Sequence, residues 1–376
     1  MKIAKYWLAV FLFLLLVWTI SGCGVKSQYI TSAKIYLGYK PPDYDKAEEQ
    51  LKLELKNNPD NAEAHYILGY IYSEKNRYKE MTDQFNACLK LSNQWANDIK
   101  NIKTQKWATV FNSGVNYMNQ DSLEKALERF ENAMIIDSSR YESWLNSGVV
   151  ALKMNDCPKA LGYLKTAYQL KMDDVKVSNT YASMAFSCKE YAEALKIYQK
   201  LKEMDPQNVN TLINMATIYE QLAMHDSALA MYSQIIAVDP TYRDAYFNRG
   251  ILYWNRAQGI YKELLAIKDS MEQNPNDKKL VERSKELIEK QKELFSKTEQ
   301  DYKKVMELDP KDKEALELLA FSLISQDKTD EAIIWLEKLV QLDPNNKEAW
   351  NSLSIVYTKK GLKEKAREAA EKAKGP

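Results

Sequence analysis

The chain has little of the material from which catalytic centres are built. Its 376 residues include 2 histidines and 4 cysteines. Neither His65 nor His225 has a Cys, His or carboxylate partner at ligand spacing, so no metal site is expected. No glycine-rich phosphate loop, nucleophile elbow or metalloprotease motif occurs. No catalytic residue and no cofactor are therefore expected, and the sequence does not read as an enzyme. Only 11 Gly and 10 Pro leave little for β-turns. Charge of one sign is also lacking: 53 Lys and Arg face 52 Asp and Glu. Without a basic stripe, a nucleic-acid partner is not expected.

What is present is repetition. The strings NNPDNAEAHYILGYIY, VDPTYRDAYFNRGILY, LDPKDKEALELLAFSL and LDPNNKEAWNSLSIVY share Asp-Pro or Asn-Pro, an alanine five residues later and then a large apolar residue. Pro206 and Pro240 are 34 residues apart, as are Pro310 and Pro344. Ala126, Ala160, Ala194 and Ala228 recur every 34 residues, and Ala332 and Ala366 are again 34 apart. A fixed period of this length implies stacked supersecondary units.

The period and its markers resemble the tetratricopeptide repeat family. Within a repeat numbered 1 to 34, Trp144, Gly148, Ala160 and Ala167 take positions 4, 8, 20 and 27. Gly114, Tyr117, Ala126, Phe130 and Ala133 fit one repeat in the same way, and Trp350, Leu353, Tyr357, Ala366 and Ala373 fit another. The resemblance implies two antiparallel helices, A and B, per unit. Small residues at 8, 20 and 27 permit close approach, and proline at 32 ends helix B. The expected fold is all-α, a right-handed superhelical solenoid of about nine helix pairs, because a lone pair cannot bury its apolar face.

The N-terminus, MKIAKYWLAVFLFLLLVWTISGCG, combines Lys2 and Lys5 with an apolar run from Tyr6 to Ile20 that is short for a membrane span. Ile20-Ser21-Gly22-Cys23 resembles a bacterial lipobox, in which the bond before the cysteine is cut and the cysteine is lipidated. Residues 1–22 are accordingly read as a lipoprotein signal peptide and Cys23 as the lipidation site. Gly24 replaces the aspartate that retains enteric lipoproteins at the inner membrane, so the outer membrane, facing the periplasm, is the expected address.

Cys88 falls on position 27, a small core slot, and His65 on position 4, a large one. Cys157 begins a helix B and Cys188 ends the next helix A, which stacked repeats bring together. Outside the cytoplasm they form a candidate disulfide, the alternative being two separate thiols. Two irregularities interrupt the lattice. Residues 96–106 read as an N-terminal extension of helix A in the third repeat. Between Pro240 and Pro310 the chain carries 36 residues beyond one period. No turn signal interrupts Lys278 to Met306, and Leu280, Leu287 and Leu294 recur every seven residues. This predicts a long helical hairpin over 257–297, turned at residues 274–277, between solenoid segments 23–256 and 298–376.

Family members bind peptides or helices on a concave surface lined by helix A. Mapped here, the resemblance places a groove at Tyr66, Tyr70, Phe111, Leu145, Lys153, Phe186, Phe247, Trp254 and Phe321. Position 6 adds Asn112, Asn146, Asn214 and Asn248, with amides suited to a ligand backbone. The resulting expectation is a lipid-anchored scaffold or adaptor in the bacterial cell envelope, acting in assembly or secretion. It would bind protein or peptide partners in the groove and meet the membrane through its lipid. The alternative is an accessory or regulatory subunit of a cell-wall or glycan-processing enzyme.

Overall fold

The structure is a computed structural model that describes residues 27–273 and 277–375. The described residues form eighteen α-helices and no strand. They divide into two compact units, one up to Tyr181 and one from Ala182. The first unit contains α1 (Gln28–Leu37), α2 (Tyr44–Asn57), α3 (Ala62–Glu74), α4 (Tyr78–Leu91), α5 (Ala96–Asn119), α6 (Leu123–Ile136), α7 (Tyr141–Lys153) and α8 (Cys157–Leu170). The boundary falls inside α9 (Val175–Ser187). The second unit continues with α10 (Tyr191–Met204), α11 (Val209–Gln221), α12 (His225–Val238), α13 (Arg243–Gln273), α14 (Lys278–Leu308), α15 (Lys313–Ser325), α16 (Thr329–Leu342), α17 (Lys347–Lys359) and α18 (Lys363–Lys374).

The Asp-Pro and Asn-Pro strings are joints with a cap on either side. Proline closes helix B, and two residues later Asn61, Asn208, Asp312 or Asn346 caps the next helix A. Their side-chain oxygens accept from the backbone N–H of Ala64, Thr211, Ala315 and Ala349, satisfying donors that a helix start leaves open. Position 4 pins the joint from the other direction. Trp144 donates its indole N–H to the Ser138 carbonyl at 2.9 Å, Trp350 to the Pro344 carbonyl at 2.8 Å, and the Tyr246 hydroxyl to the Pro240 carbonyl at 3.3 Å. His65 Nε2 lies 2.9 Å from the Pro59 carbonyl. His65, expected in the core, is only half-buried, because its ring reaches back to the joint.

The turn from helix A to helix B is made by one residue at position 15 in the left-handed region. Asn76, Asp121, Asn155, Lys189, Ala223, Asp327 and Gly361 all have φ between 53° and 74°. In each turn the next N–H reaches back five residues, as from Arg77 to the Tyr72 carbonyl at 2.9 Å, the Schellman closure. Four first helices also carry glycine at position 8, where a Cβ would stand against the position-24 ring or side chain of the same repeat. It would meet Phe85 at 2.5 Å from Gly69, Phe130 at 2.7 Å from Gly114, Leu164 at 2.4 Å from Gly148 and Tyr302 at 3.1 Å from Gly250. Cys88 is fully buried, and burial pushes its thiol above the usual range.

α5 is 24 residues long because residues 96–106 extend it at its N-terminus. The seventh repeat departs further. Its position 15 is Ala257, which stays helical, so α13 runs unbroken for 31 residues and α14 returns for 31. The hairpin is thus continuous with helices A and B of its repeat. Ala257, Ile260, Leu287, Leu294 and Phe295 form its core, with Trp254 packed alongside. The expected turn at 274–277 lies outside the described residues except for Asp277, which caps α14 through Lys279 and Leu280.

Two charged clusters occupy the same repeat positions in different units. Glu48 in α2, whose side chain is 8% exposed, takes ion pairs from Lys52, Lys75 and Arg77. Glu299 in α14 is paired in the same manner with Lys303 and Lys328. Burial pushes the Glu48 carboxyl up, but hydrogen bonds from Lys52, Lys75 and Arg77 outweigh it and bring it down to about 2. A depressed folded-state value means this stability is complete above the unfolded value of 4.5 and is lost as pH falls towards 2. Glu48→Gln should therefore cost about 2 kcal/mol at neutral pH and nothing by pH 2. Urea melts at both pH values check it; an equal loss at both would refute the linkage.

Candidate interaction face on the first helix of each repeat

The residues singled out from the sequence fall into three environments. Phe111 and Tyr66 are half-buried and engaged by other rings: Phe111 stacks on Trp107 at 4.7 Å and touches Phe130 at 5.4 Å, while Tyr66 stacks on Trp95 at 5.4 Å. Phe247 is buried, edge-on to Tyr302 at 5.8 Å and covered by the Arg243 guanidinium at 4.4 Å. Trp254 packs on Phe295 at 5.3 Å, and Phe186 on Tyr191 at 5.6 Å. These rings contribute first to packing between helices, and Phe247 offers no surface.

A second set is accessible. In the first unit, Tyr70, Asn112 and Lys153 are exposed on α3, α5 and α7, with Leu145 half-buried beside them in sequence order on α7. Burial, then Glu74 and Tyr44, push the Tyr70 phenol up. In the second unit, Asn214 on α11, Asn248 on α13 and Phe321 on α15 are half-buried. Asn146 is committed locally, its amide donating to the Glu142 carbonyl at 2.8 Å. Of the cysteines, Cys23 lies outside the described residues, Cys157 opens α8 and Cys188 follows α9.

Several contacts are not legible from position in the repeat. Trp107 donates its indole N–H to the buried Ser143 hydroxyl at 2.9 Å, and the Arg140 guanidinium covers its ring at 4.2 Å. Arg249 grips Asp301 through two hydrogen bonds of 3.0 and 2.7 Å and donates to the Ser233 hydroxyl at 3.0 Å, joining α12, α13 and α14. The charged character of residues 249 and 301 is visible in the sequence, but their pairing across 52 residues is not.

Among the described residues, each unit carries accessible side chains on the first helices of its repeats. Three family models described as tetratricopeptide repeat match residues 62–94, 145–209, 185–249, 293–354 and 347–375. The chain belongs to the tetratricopeptide repeat family. These repeats generally form non-catalytic scaffolds for protein–protein interaction. The C-terminal part of a repeat-containing protein from Cytophaga hutchinsonii has the same fold, with a TM-score of 0.52 and 14% identity over 70% of this chain and 93% of that one. The BBSome complex member BBS4 of Bos taurus is 25% identical over 211 residues, 55% of this chain and 38% of that protein. Anaphase-promoting complex subunit 3 of Schizosaccharomyces pombe is 22% identical over 214 residues, 57% of this chain and 30% of that protein. The repeat region therefore spans well under half the length of these curated relatives.

Proposed function

We propose that this repeat protein is a lipid-anchored scaffold of the bacterial envelope, not itself an enzyme, which holds protein or peptide partners against the first helices of its repeats. Support for the address is Ile20-Ser21-Gly22-Cys23 after a short apolar run. Support for the scaffold is the accessible set on helix A, above all Tyr70 and Asn112. A phenol and an exposed amide both suit a ligand backbone. Gly24 favours the outer membrane.

The test has two arms. Cys23→Ala should abolish metabolic labelling with a fatty acid, and retained labelling would sink the anchor. Tyr70→Ala with Asn112→Ala should lower crosslinking to the wild-type partner about fivefold while leaving helicity unchanged. A folded double variant that crosslinks like wild type would remove this face from the function.

A further inference from the structure

The first and last of the described helices are finished differently. A terminal helix has no neighbouring repeat over its outer side, and repeat proteins ordinarily make that side polar. α18 does so: its exposed residues between Lys363 and Lys374 are all charged. α1 does not. Its exposed residues are Gln28, Thr31, Lys34 and Ile35, and the chain leaves it through an exposed stretch, 38–42. Ile35 is 56% exposed and Tyr39 49%. The two are four residues apart and share a side, because the Tyr39 N–H still bonds to the Tyr36 carbonyl at 3.4 Å and continues the turn. The Tyr36 ring meets the Tyr39 ring edge-on at 5.7 Å and steadies it at the surface.

Apolar side chains are left open elsewhere too, and what sets these two apart is the tether beside them. Cys23, the lipidation site proposed above, is four residues from Ser27, whose hydroxyl caps α1 by accepting from the Tyr29 N–H at 3.2 Å. Four residues span at most about 14 Å. At 1.5 Å per residue, α1 is itself about 15 Å long. A lipid on Cys23 therefore keeps the start of α1 beside the headgroups and leaves the helix free to lie down on them. The charge of the segment suits that place. Residues 24–42 contain Lys26, Lys34 and Lys40 and no acid. Asp43 and Asp45, which follow, are paired with Lys46 and Lys75. An open isoleucine and tyrosine on a basic segment match the boundary between headgroups and acyl chains, where a phenol buries its ring and keeps its hydroxyl wet.

We propose that the outer side of α1, formed by Thr31, Ile35 and Tyr39, lies on the phospholipid headgroups of the bilayer that holds the Cys23 lipid, so that the first repeat is seated on the membrane by contact as well as by tether. This rests on the lipidation reading above.

The experiment reconstitutes the acylated protein into vesicles of phosphatidylethanolamine and phosphatidylglycerol that contain a trace of phospholipid with a diazirine on its headgroup. Irradiation and peptide mass spectrometry then locate the crosslinks. They should concentrate in 28–42. Ile35→Glu with Tyr39→Glu should lower the yield there about fivefold, with acylation, flotation and thermal melting unchanged. Thr31→Glu, at a third exposed position on the same side, should act in the same direction and guards against a double variant that folds poorly. A flexible insert of ten Gly and Ser residues after Val25 should leave the α1 crosslinks within about twofold of wild type, because the face has its own affinity for the headgroups. Loss of the crosslinks in the insert variant would overturn the proposal, since nearness alone would then account for them. So would full crosslinking by the folded glutamate variants. Acylated protein that floats with the vesicles but leaves α1 unlabelled would discard the face and keep the anchor. Protein with no acyl mass on Cys23 would discard the anchor, and the proposal with it.

Discussion

Arg249→Met should loosen the second unit by about 3 to 5 kcal/mol, a large share of what holds an ordinary domain together. The Asp301 side chain is 4% exposed and that of Arg249 19%. The guanidinium meets both carboxylate oxygens and the Ser233 hydroxyl together. Removing the cation leaves a buried carboxylate with no counter-charge, the costly half of a broken pair. Burial already pushes the Asp301 carboxyl up against the pull of Arg249, so without Arg249 it rises further. A folded-state value raised above the unfolded one destabilises at high pH, and this penalty fades as pH falls through the folded value to the unfolded one. The defect should be largest at neutral pH and shrink in acid. Because repeat stacks unfold segment by segment, the readout is hydrogen exchange in 243–308 as well as global melting. Adding Asp301→Leu should restore most of the loss, since an apolar pair of similar volume fits a buried site. A double variant as weak as the single one would show that packing, and not the stranded charge, sets the effect.

Two glycines in one repeat should respond with opposite signs. Gly148→Val should cost about 3 kcal/mol, because even the first added carbon would lie 2.4 Å from Leu164 Cγ and 3.1 Å from the Ala160 carbonyl. Gly162 lies inside α8 with nothing within 4 Å of its added carbon. Gly162→Ala should therefore gain about 1 kcal/mol from helix propensity. Thermal melting of both variants decides the matter. A stabilising Gly148→Val would mean that α7 and α8 are not held at this separation.

The part of the fold that is legible in the sequence is the part set by local volume and capping. Glycine at position 8 opposite a large residue at 24, proline at 32 and the capping Asn or Asp two residues on all leave marks in a single period. The α14 helix is legible for a related reason, since nothing between Lys278 and Met306 could turn the chain. The position-15 turn is not, because Lys189 and Ala223 carry no sign of the left-handed conformation that the closure imposes on them. The candidate face is legible only as a set of positions. Whether a ring there faces solvent depends on its neighbour in space, and Phe247 is turned to the core by Tyr302, a residue supplied from beyond the hairpin.

The length of the hairpin has a geometric meaning. An ordinary helix A here has 13 residues, as in α11, and α13 has 31. The added stretch of about eighteen residues is five turns at 3.6 residues per turn, some 27 Å of extra rod. A whole number of turns returns the helix to the angle at which it started, so the far end presents the same side to its partner as the near end. An extension of two or three residues more would rotate the seam away from α14 and break the pairing. Such an arm behaves like a ruler with notches. Its length can change in steps of a few turns while the repeat at its base keeps its register, so reach and stacking can vary independently among chains built this way.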